Sequence, residues 1–253
     1  MSPELRREAI LEIVRQNKEL RVDEIADRFG VSRETIRRDL AQLDARQLLR
    51  RVHGGAERPR IGIEANFRQR LTENTDSKAR IARAAASLFE ENDTLMIDTG
   101  STTEAFAAAL AARGRFSVVT NSAGVAWHLH NSGGSSRVYL IGGEYRGEMG
   151  ETVGALAIDH VTRFRADHAV LTVGGLDVTG CMDFDVEEAM MARAMIKQTQ
   201  SVTIVADHSK LGRIAMYQVC DLSVIARLVT DQLPESTLMN ALRSSGVDVI
   251  VAD

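Results

Sequence analysis

Cysteine is scarce in this chain of 253 residues, with only Cys181 and Cys220 present. Two cysteines so far apart make neither a disulfide framework nor a short-spaced metal site, so buried, reduced thiols are expected. Long apolar runs are absent as well, which excludes a helix spanning a bilayer. The first residues read as a charged amphipathic helix rather than a secretory signal, so the expected compartment is the cytoplasm, with no membrane partner. Internal repeats and low-complexity tracts are missing. Charge is nearly balanced, and a net charge of -4 argues against indiscriminate nucleic-acid binding. That sum hides an asymmetry: residues 1–60 carry 14 Lys and Arg against 11 Asp and Glu, and the remainder carries 17 against 24. A basic head precedes an acidic body. With 44% apolar residues the chain has the content of an ordinary globular protein, long enough for one large core and a small domain.

The stretch Gly30-Val31-Ser32-Arg33-Glu34-Thr35-Ile36-Arg37-Arg38-Asp39-Leu40-Ala41-Gln42-Leu43 organises the head. Gly30 permits a tight bend, and Ser32 can cap the helix that follows by accepting a first-turn N–H. At helical spacing Ile36, Leu40 and Leu43 share one face, while Glu34, Arg37, Arg38 and Ala41 lie opposite, with Arg33 and Thr35 toward the edges. Upstream, Val22, Ile25, Ala26 and Phe29 form a second stripe, with Asp23 and Glu24 in its dipole-favoured first turn. Leu5, Ala9, Ile10, Ile13 and Val14 form a third. Three short helices with a glycine turn between the last two match a helix-turn-helix, whose second helix enters the major groove. A three-helix domain that binds protein is the alternative, and the outward arginines favour DNA. Arg33, Glu34, Thr35, Arg37 and Arg38 are the candidates for base edges, since Arg engages guanine in a bidentate manner and Glu accepts from cytosine.

Residues 47–56, Gln47-Leu48-Leu49-Arg50-Arg51-Val52-His53-Gly54-Gly55-Ala56, read as a β-ribbon wing. Ser32, Arg51 and His53 are candidates for DNA phosphates, which position a protein without reading sequence. Val31-Ser32-Arg33-Glu34-Thr35-Ile36-Arg37-Arg38-Asp39-Leu40 followed by Arg51-Val52-His53-Gly54-Gly55-Ala56 resembles the signature of the DeoR family of bacterial sugar-catabolism regulators.

Beyond the head, Glu57-Arg58-Pro59-Arg60-Ile61-Gly62 is polar and broken by Pro and Gly, which marks a linker. The expected division is a winged helix-turn-helix over 1–57, a linker over 58–76 in which Phe67 and Arg70 pin the connector to the body, and a larger domain over 77–253. In that domain strand candidates at 94–98, 117–120, 138–141, 169–173, 202–206, 228–230 and 247–251 alternate with helices such as 103–112. The expected fold class is α/β: a winged head and a mainly parallel sheet covered on both faces, with ligands beyond the strands' carboxyl ends.

At one such end, Asp98-Thr99-Gly100-Ser101-Thr102-Thr103 runs from a strand straight into a helix. Gly100 lets an anion approach the backbone, the hydroxyls can donate hydrogen bonds, and the helix start adds unpaired N–H groups. No Lys follows in the Walker position, and an ordinary helix cap is the alternative. Other strand ends carry Thr120-Asn121-Ser122, Gly142-Gly143-Glu144-Tyr145, Gly174-Gly175-Leu176-Asp177 and Asp207-His208-Ser209-Lys210. A lysine beside a hydroxyl loop suits a phosphate, and Asn or Asp suits sugar hydroxyls; plain turns with a surface Lys are the alternative. Asp183, Asp185 and Glu187 gather before a helix, where they can favour its dipole, transfer protons as in an aldose–ketose isomerase, or grip hydroxyls in a sensor. His128 and His130 are two apart on a helix and diverge by roughly 200°, which makes no shared metal face. No metal or cofactor is expected.

The body resembles the family's sensor domain through Asp98-Thr99-Gly100-Ser101-Thr102, Val119-Thr120-Asn121, Gly142-Gly143-Glu144, Gly174-Gly175-Leu176-Asp177 and Asp207-His208-Ser209-Lys210-Leu211-Gly212-Arg213. The resemblance implies a fold related to ribose-phosphate isomerase and a site that holds a phosphorylated sugar or polyol without turnover. Met182-Asp183-Phe184-Asp185, with Arg193-Ala194-Met195-Ile196, is similar to members that answer to glycerol 3-phosphate, which becomes the favoured effector. The effector-site candidates are Asp98, Thr99, Gly100, Ser101, Thr102, Thr103, Asn121, Gly142, Gly143, Asp183, Asp185, Glu187, Asp207 and Lys210. Double-stranded operator DNA and a second copy of the chain, in a homodimer or homotetramer, complete the expected partners. No catalytic residue is assigned. An isomerase-like enzyme with a DNA-binding head and an activator of the same architecture are the alternatives.

Overall fold

The computed structural model describes residues 2–16, 19–45, 49–57, 64, 66–131 and 136–253. Residues 46–48, at the entry to the expected wing, and 58–63, most of the polar linker, lie outside that set. The head comprises α1 (Pro3–Gln16), β1 (Glu19–Arg21), α2 (Val22–Phe29), α3 (Arg33–Ala45), β2 (Arg50–Val52) and β3 (Gly55–Glu57). α2 ends where Gly30 takes a left-handed φ of 64°, a conformation that costs glycine little and turns the chain toward α3. The inner face of α3 is sealed: Ile36, Leu40 and Leu43 are buried against Ile10, Val14 and Ile25 in one core. Arg6 Nε also donates to Asp39 Oδ2 at 2.6 Å, a buried pair tying α1 to α3.

The wing is a three-stranded sheet in the order β1-β3-β2, all antiparallel. Its outer strand β1 was not among the sequence expectations. Three residues between two helices are too few to show a period of two.

The connector holds α4 (Phe67–Thr72), begun by Asn66, whose Oδ1 accepts from the Gln69 N–H at 2.9 Å. The body follows: α5 (Thr75–Ala86), β4 (Thr94–Ile97), α6 (Ser101–Ala111), β5 (Ser117–Thr120), α7 (Ala123–Asn131), β6 (Arg137–Leu140), β7 (Glu144–Arg146), β8 (Glu151–Val153), α8 (Ala155–Val161) and β9 (Ala166–Leu171). It continues with β10 (Gly175–Asp177), β11 (Gly180–Asp183), α9 (Val186–Lys197), β12 (Thr199–Val205), β13 (Tyr217–Cys220), β14 (Arg227–Thr230), α10 (Ser236–Ser244) and β15 (Asp248–Val251). Seven strands form one parallel sheet in the order β15-β14-β12-β9-β4-β5-β6. Alternation along β4 splits its side chains between two cores: Leu95 and Ile97 pack with α5, α6 and α7, while Met96 faces the other way, among residues of α8, α9 and α10.

β9 and β12 each begin three residues before the expected apolar run. The early residues are mostly polar, the buried Ala166 apart, but still paired, Ala166 with Thr199 and His168 with Ser201 in register. Two of the glycine-rich strand ends read as loops instead open antiparallel hairpins: β7 pairs with β8, and β10 with β11, which pairs in turn with β13. Cys181 and Cys220 are buried and free. No helix among the described residues is long and apolar enough to cross a membrane.

Candidate nucleic-acid interface and effector site

The head presents the outer face of α3. Ser32 Oγ accepts from the Thr35 N–H at 3.1 Å and contacts its hydroxyl at 2.9 Å, a cap at the helix start. The side chains of Arg33, Arg37 and Arg38 are 65%, 59% and 79% exposed. Arg33 reaches Asp23 of α2 at 2.8 Å, while Glu34 lies 3.7 Å from Arg37 and 3.6 Å from Arg38. Exposed ion pairs of this kind contribute about 0–1 kcal/mol each, so a phosphate or a base edge can displace them. Thr35 is half-buried beside them, and Arg51 and His53 are exposed on the wing.

In the body, the strand order reverses direction at β4: β5 follows on one side and β9 on the other. Outside the carboxyl ends of β4, β9 and β12 lies a cavity of about 350 Å³, lined by Ser101, Thr102, Thr172, Asp207, Lys210 and Arg213, and by Glu64, Arg70, Glu73, Asn74 and Lys78 from the connector and α5. This is where an open α/β sheet places its ligands. α6 points its amino end there, and no side chain caps it. A Cβ on Gly100 would sit 2.2 Å from Thr172 Cγ2, so only glycine lets the loops after β4 and β9 close up.

Four of the expected effector residues, Ser101, Thr102, Asp207 and Lys210, line this cavity. Others build its wall. Asp98, buried, accepts the Thr172 N–H with both oxygens, at 3.1 and 2.9 Å, and burial holds its carboxyl well above the usual range. Thr103 turns its hydroxyl back onto the carbonyls of Asp98 and Gly100, at 3.1 and 3.0 Å. Thr99 is buried. The structure does not bring Asn121, Gly142 or Gly143 to the cavity: Asn121 is buried and donates to the Thr152 carbonyl at 3.2 Å, and the Gly142 N–H donates to His160 Nδ1 at 3.1 Å. Gly143 packs under the β7–β8 hairpin, where a Cβ would meet the Val153 carbonyl at 2.7 Å.

Of the acidic cluster only Asp185 lines a neighbouring cavity of about 620 Å³, with Glu188, Phe184, Glu148 and Met149, and this cavity shares Glu64 and Arg70 with the first; Asp183 and Glu187 line neither. Asp185 caps α9, accepting the Glu187 N–H at 2.7 Å, and takes Arg146 Nη1 on its other oxygen at 2.9 Å; Glu187 also pairs with Arg146. Asp183 ends β11 rather than preceding the helix as a loop residue. Burial, then Glu64, pushes the Asp183 carboxyl up to about 6, and burial, then Asp183, pushes Glu188 up to about 10.

Sequence reasoning missed Lys78, Arg213 and Glu64 as site residues, and gave Arg70 only a pinning role. Lys78 carried a signal: it stands three and four positions before Ile81 and Ala82 on the buried stripe of α5, a charge on an apolar face. Its ammonium donates to the Arg70 and Glu73 carbonyls, and burial lowers its pKa. Arg213 stacks on the Phe184 ring at 4.5 Å, between the two cavities' walls. The first cavity therefore combines a helix start, hydroxyls and four cations, set against the carboxylates of Glu64, Glu73 and Asp207, a lining that can take an anion. The second offers several carboxyl groups, whose oxygens accept from hydroxyls, and among them burial raises that of Glu188.

A helix-turn-helix head joined to an α/β body with a polar cavity defines a transcriptional regulator that carries its own sensor. The chain belongs to the DeoR family: residues 6–61 match the DeoR-like helix-turn-helix domain and residues 73–232 the DeoR C terminal sensor domain. The glycerol-3-phosphate regulon repressor of Escherichia coli (strain K12) is 36% identical over 238 residues, covering 94% of each chain. The HTH-type transcriptional repressor GlcR of Bacillus subtilis (strain 168) is 33% identical over 254 residues, covering 100% of this chain and 98% of its own. Among solved structures, ribose 5-phosphate isomerase A from Methanocaldococcus jannaschii is a distant likeness, with 14% identity and a TM-score of 0.40 over 55% of each chain.

Proposed function

We propose that the chain is a repressor that holds operator DNA through α3 and releases it when a phosphorylated sugar or polyol, glycerol 3-phosphate favoured, fills the body. The observation that carries this reading is the cavity at the sheet's reversal point, where the uncapped start of α6 meets Lys210 and Arg213. In the head, Arg33, Glu34, Thr35, Arg37 and Arg38 would face bases, and Ser32, Arg51 and His53 phosphates. In the body, Ser101, Thr102 and Lys210 would take the phosphate and Asp207 would orient the loop. Asp185 and Glu188, which line the second cavity, would meet the hydroxyls, with Asp98, Thr99, Gly100 and Thr103 as the wall of the first.

The proposed division is 1–57 for the head, 58–76 for the linker and 77–253 for the sensor. The repressor would act in the cytoplasm as at least a dimer, because paired half-sites require it, and would not turn its effector over. The test uses an operator fragment selected from random duplex DNA by the full-length protein. Glycerol 3-phosphate and a panel of hexose and pentose phosphates are titrated into that complex, with fluorescence anisotropy reading release. One of these phosphoesters is expected to lower operator affinity at least tenfold; no change with any of them removes the inducer reading. Recovery of an isomerised phosphosugar from the same incubation would favour the enzyme instead.

A further inference from the structure

Two of the first cavity's cations, one of them the expected phosphate ligand Lys210, already hold an anion of the protein's own. Glu64, from the connector between head and body, places Oε1 2.7 Å from Lys210 Nζ and Oε2 2.9 Å from Arg70 Nη1. All three side chains are nearly closed to solvent, at 11%, 12% and 11% exposed. Glu64 also stands where the two cavities adjoin, lining both, with Arg70 beside it. Its neighbours across the wall are acidic, and its charge is one of the causes that raise Asp183. The carboxylate is thus held by Lys210 and Arg70, with the Asp183 carboxyl as an acidic neighbour that it raises.

We propose that Glu64 is an internal stand-in for the effector's phosphate, seated on Lys210 and Arg70 and displaced when the effector enters. A phosphate monoester brings a second negative charge and three acceptor oxygens, enough to take both cations and the N–H groups at the start of α6 together. One carboxylate cannot span that set. Its displacement frees the connector that leads to the DNA-binding head, so occupancy of the body is felt in the chain between the domains. The inference rests on the effector-site reading and adds to it the competitor and the coupling. A ligand shifts such an equilibrium only through its preference for one arrangement, and direct competition for Lys210 supplies that preference.

Calorimetry of the full-length protein with glycerol 3-phosphate and with inorganic phosphate tests it. Glu64→Gln removes the competing charge at nearly constant shape, and the better-binding probe is expected to bind roughly tenfold tighter or more, the scale of one charged hydrogen bond. Lys210→Gln is expected to weaken the same probe by a similar factor. Hydrogen exchange in peptides spanning Glu64 gives the second readout. Saturating probe should speed exchange in the wild type, and Glu64→Gln should exchange fast with or without it. If the wild type binds a probe and Glu64→Gln binds it no tighter, the stand-in fails while the effector site survives. If neither protein binds a probe and Lys210→Gln changes nothing, the effector-site reading falls and this inference with it. Should Glu64→Gln melt far below the wild type, Glu64→Asp replaces it. The retracted carboxylate should still raise affinity, and unchanged affinity overturns the proposal.

Discussion

Glu151 shows at the scale of one residue how the body tolerates charge. Its side chain is fully buried, and the guanidinium of Arg146 is 3.9 Å away. Burial, opposed by Arg146 and aided by Asp185 and Asp183, pushes its carboxyl up to about 7 from an ordinary 4.5. A carboxyl raised in the folded state leaves stability intact while it is protonated in both states, below pH about 4.5, and costs stability as pH climbs toward 7. Asp183 adds to the same window with its value near 6, and Glu188 extends it upward. The melting temperature is therefore expected to fall between pH 5 and 7, and Glu151→Gln to remove part of that fall. The shift corresponds to a gain on the order of 3 kcal/mol at pH 8, with Arg146 still paired to Asp185 and Glu187. Thermal melts of both proteins across that range check it, and parallel curves would show that Glu151 is not the group that titrates.

Among the elements, α3 was the most legible. Its buried face followed from spacing alone, because Ile36, Leu40 and Leu43 fall on one side of any helix drawn through Ser32 to Leu43 and are sealed in the head core. Its polar face was equally readable, since exposed arginines have no structural need to be there. Arg37→Ala is expected to weaken operator binding by about 1–3 kcal/mol if it reads a base edge, without moving the melting temperature. Anisotropy at fixed salt on matched and mismatched duplexes checks it, and a uniform loss on every sequence would reassign Arg37 to phosphate. The strands of the parallel sheet were legible through their apolar runs, while their polar beginnings were not. The hairpins at β7 and β10 were hidden because Gly142-Gly143 and Gly174-Gly175 carry the same signal whether a loop or a turn into a strand follows. The acidic cluster was found as a cluster. That Asp185 is a cap clamped by Arg146, while Asp183 ends a strand, depends on contacts made across some forty residues of chain.

At the level of the whole molecule the candidate effector site was half legible for a related reason. Asp98 to Thr103 and Asp207 to Lys210 lie on single loops and carry their chemistry in order. Arg70, Lys78 and Glu64 arrive from the connector and α5, and only the folded chain brings them to the same cavity as those loops. The head has its own core and its own modest excess of positive charge, too small to hold DNA by charge alone. In the proposed dimer, specific binding rests on two heads held at a fixed separation by their bodies, which is what an effector would disturb. Heads arranged by a two-fold axis meet the same face of the duplex only when half-site centres are about 10–10.5 base pairs apart, or a multiple of that. Inserting five base pairs between the half-sites of the selected operator turns one of them to the far side. The expected result is a loss of most of the affinity, and an insertion of ten should restore much of it. Equal binding to all three duplexes would mean that single heads suffice, and the coupling between effector and DNA would then have to act within one chain, through the connector alone.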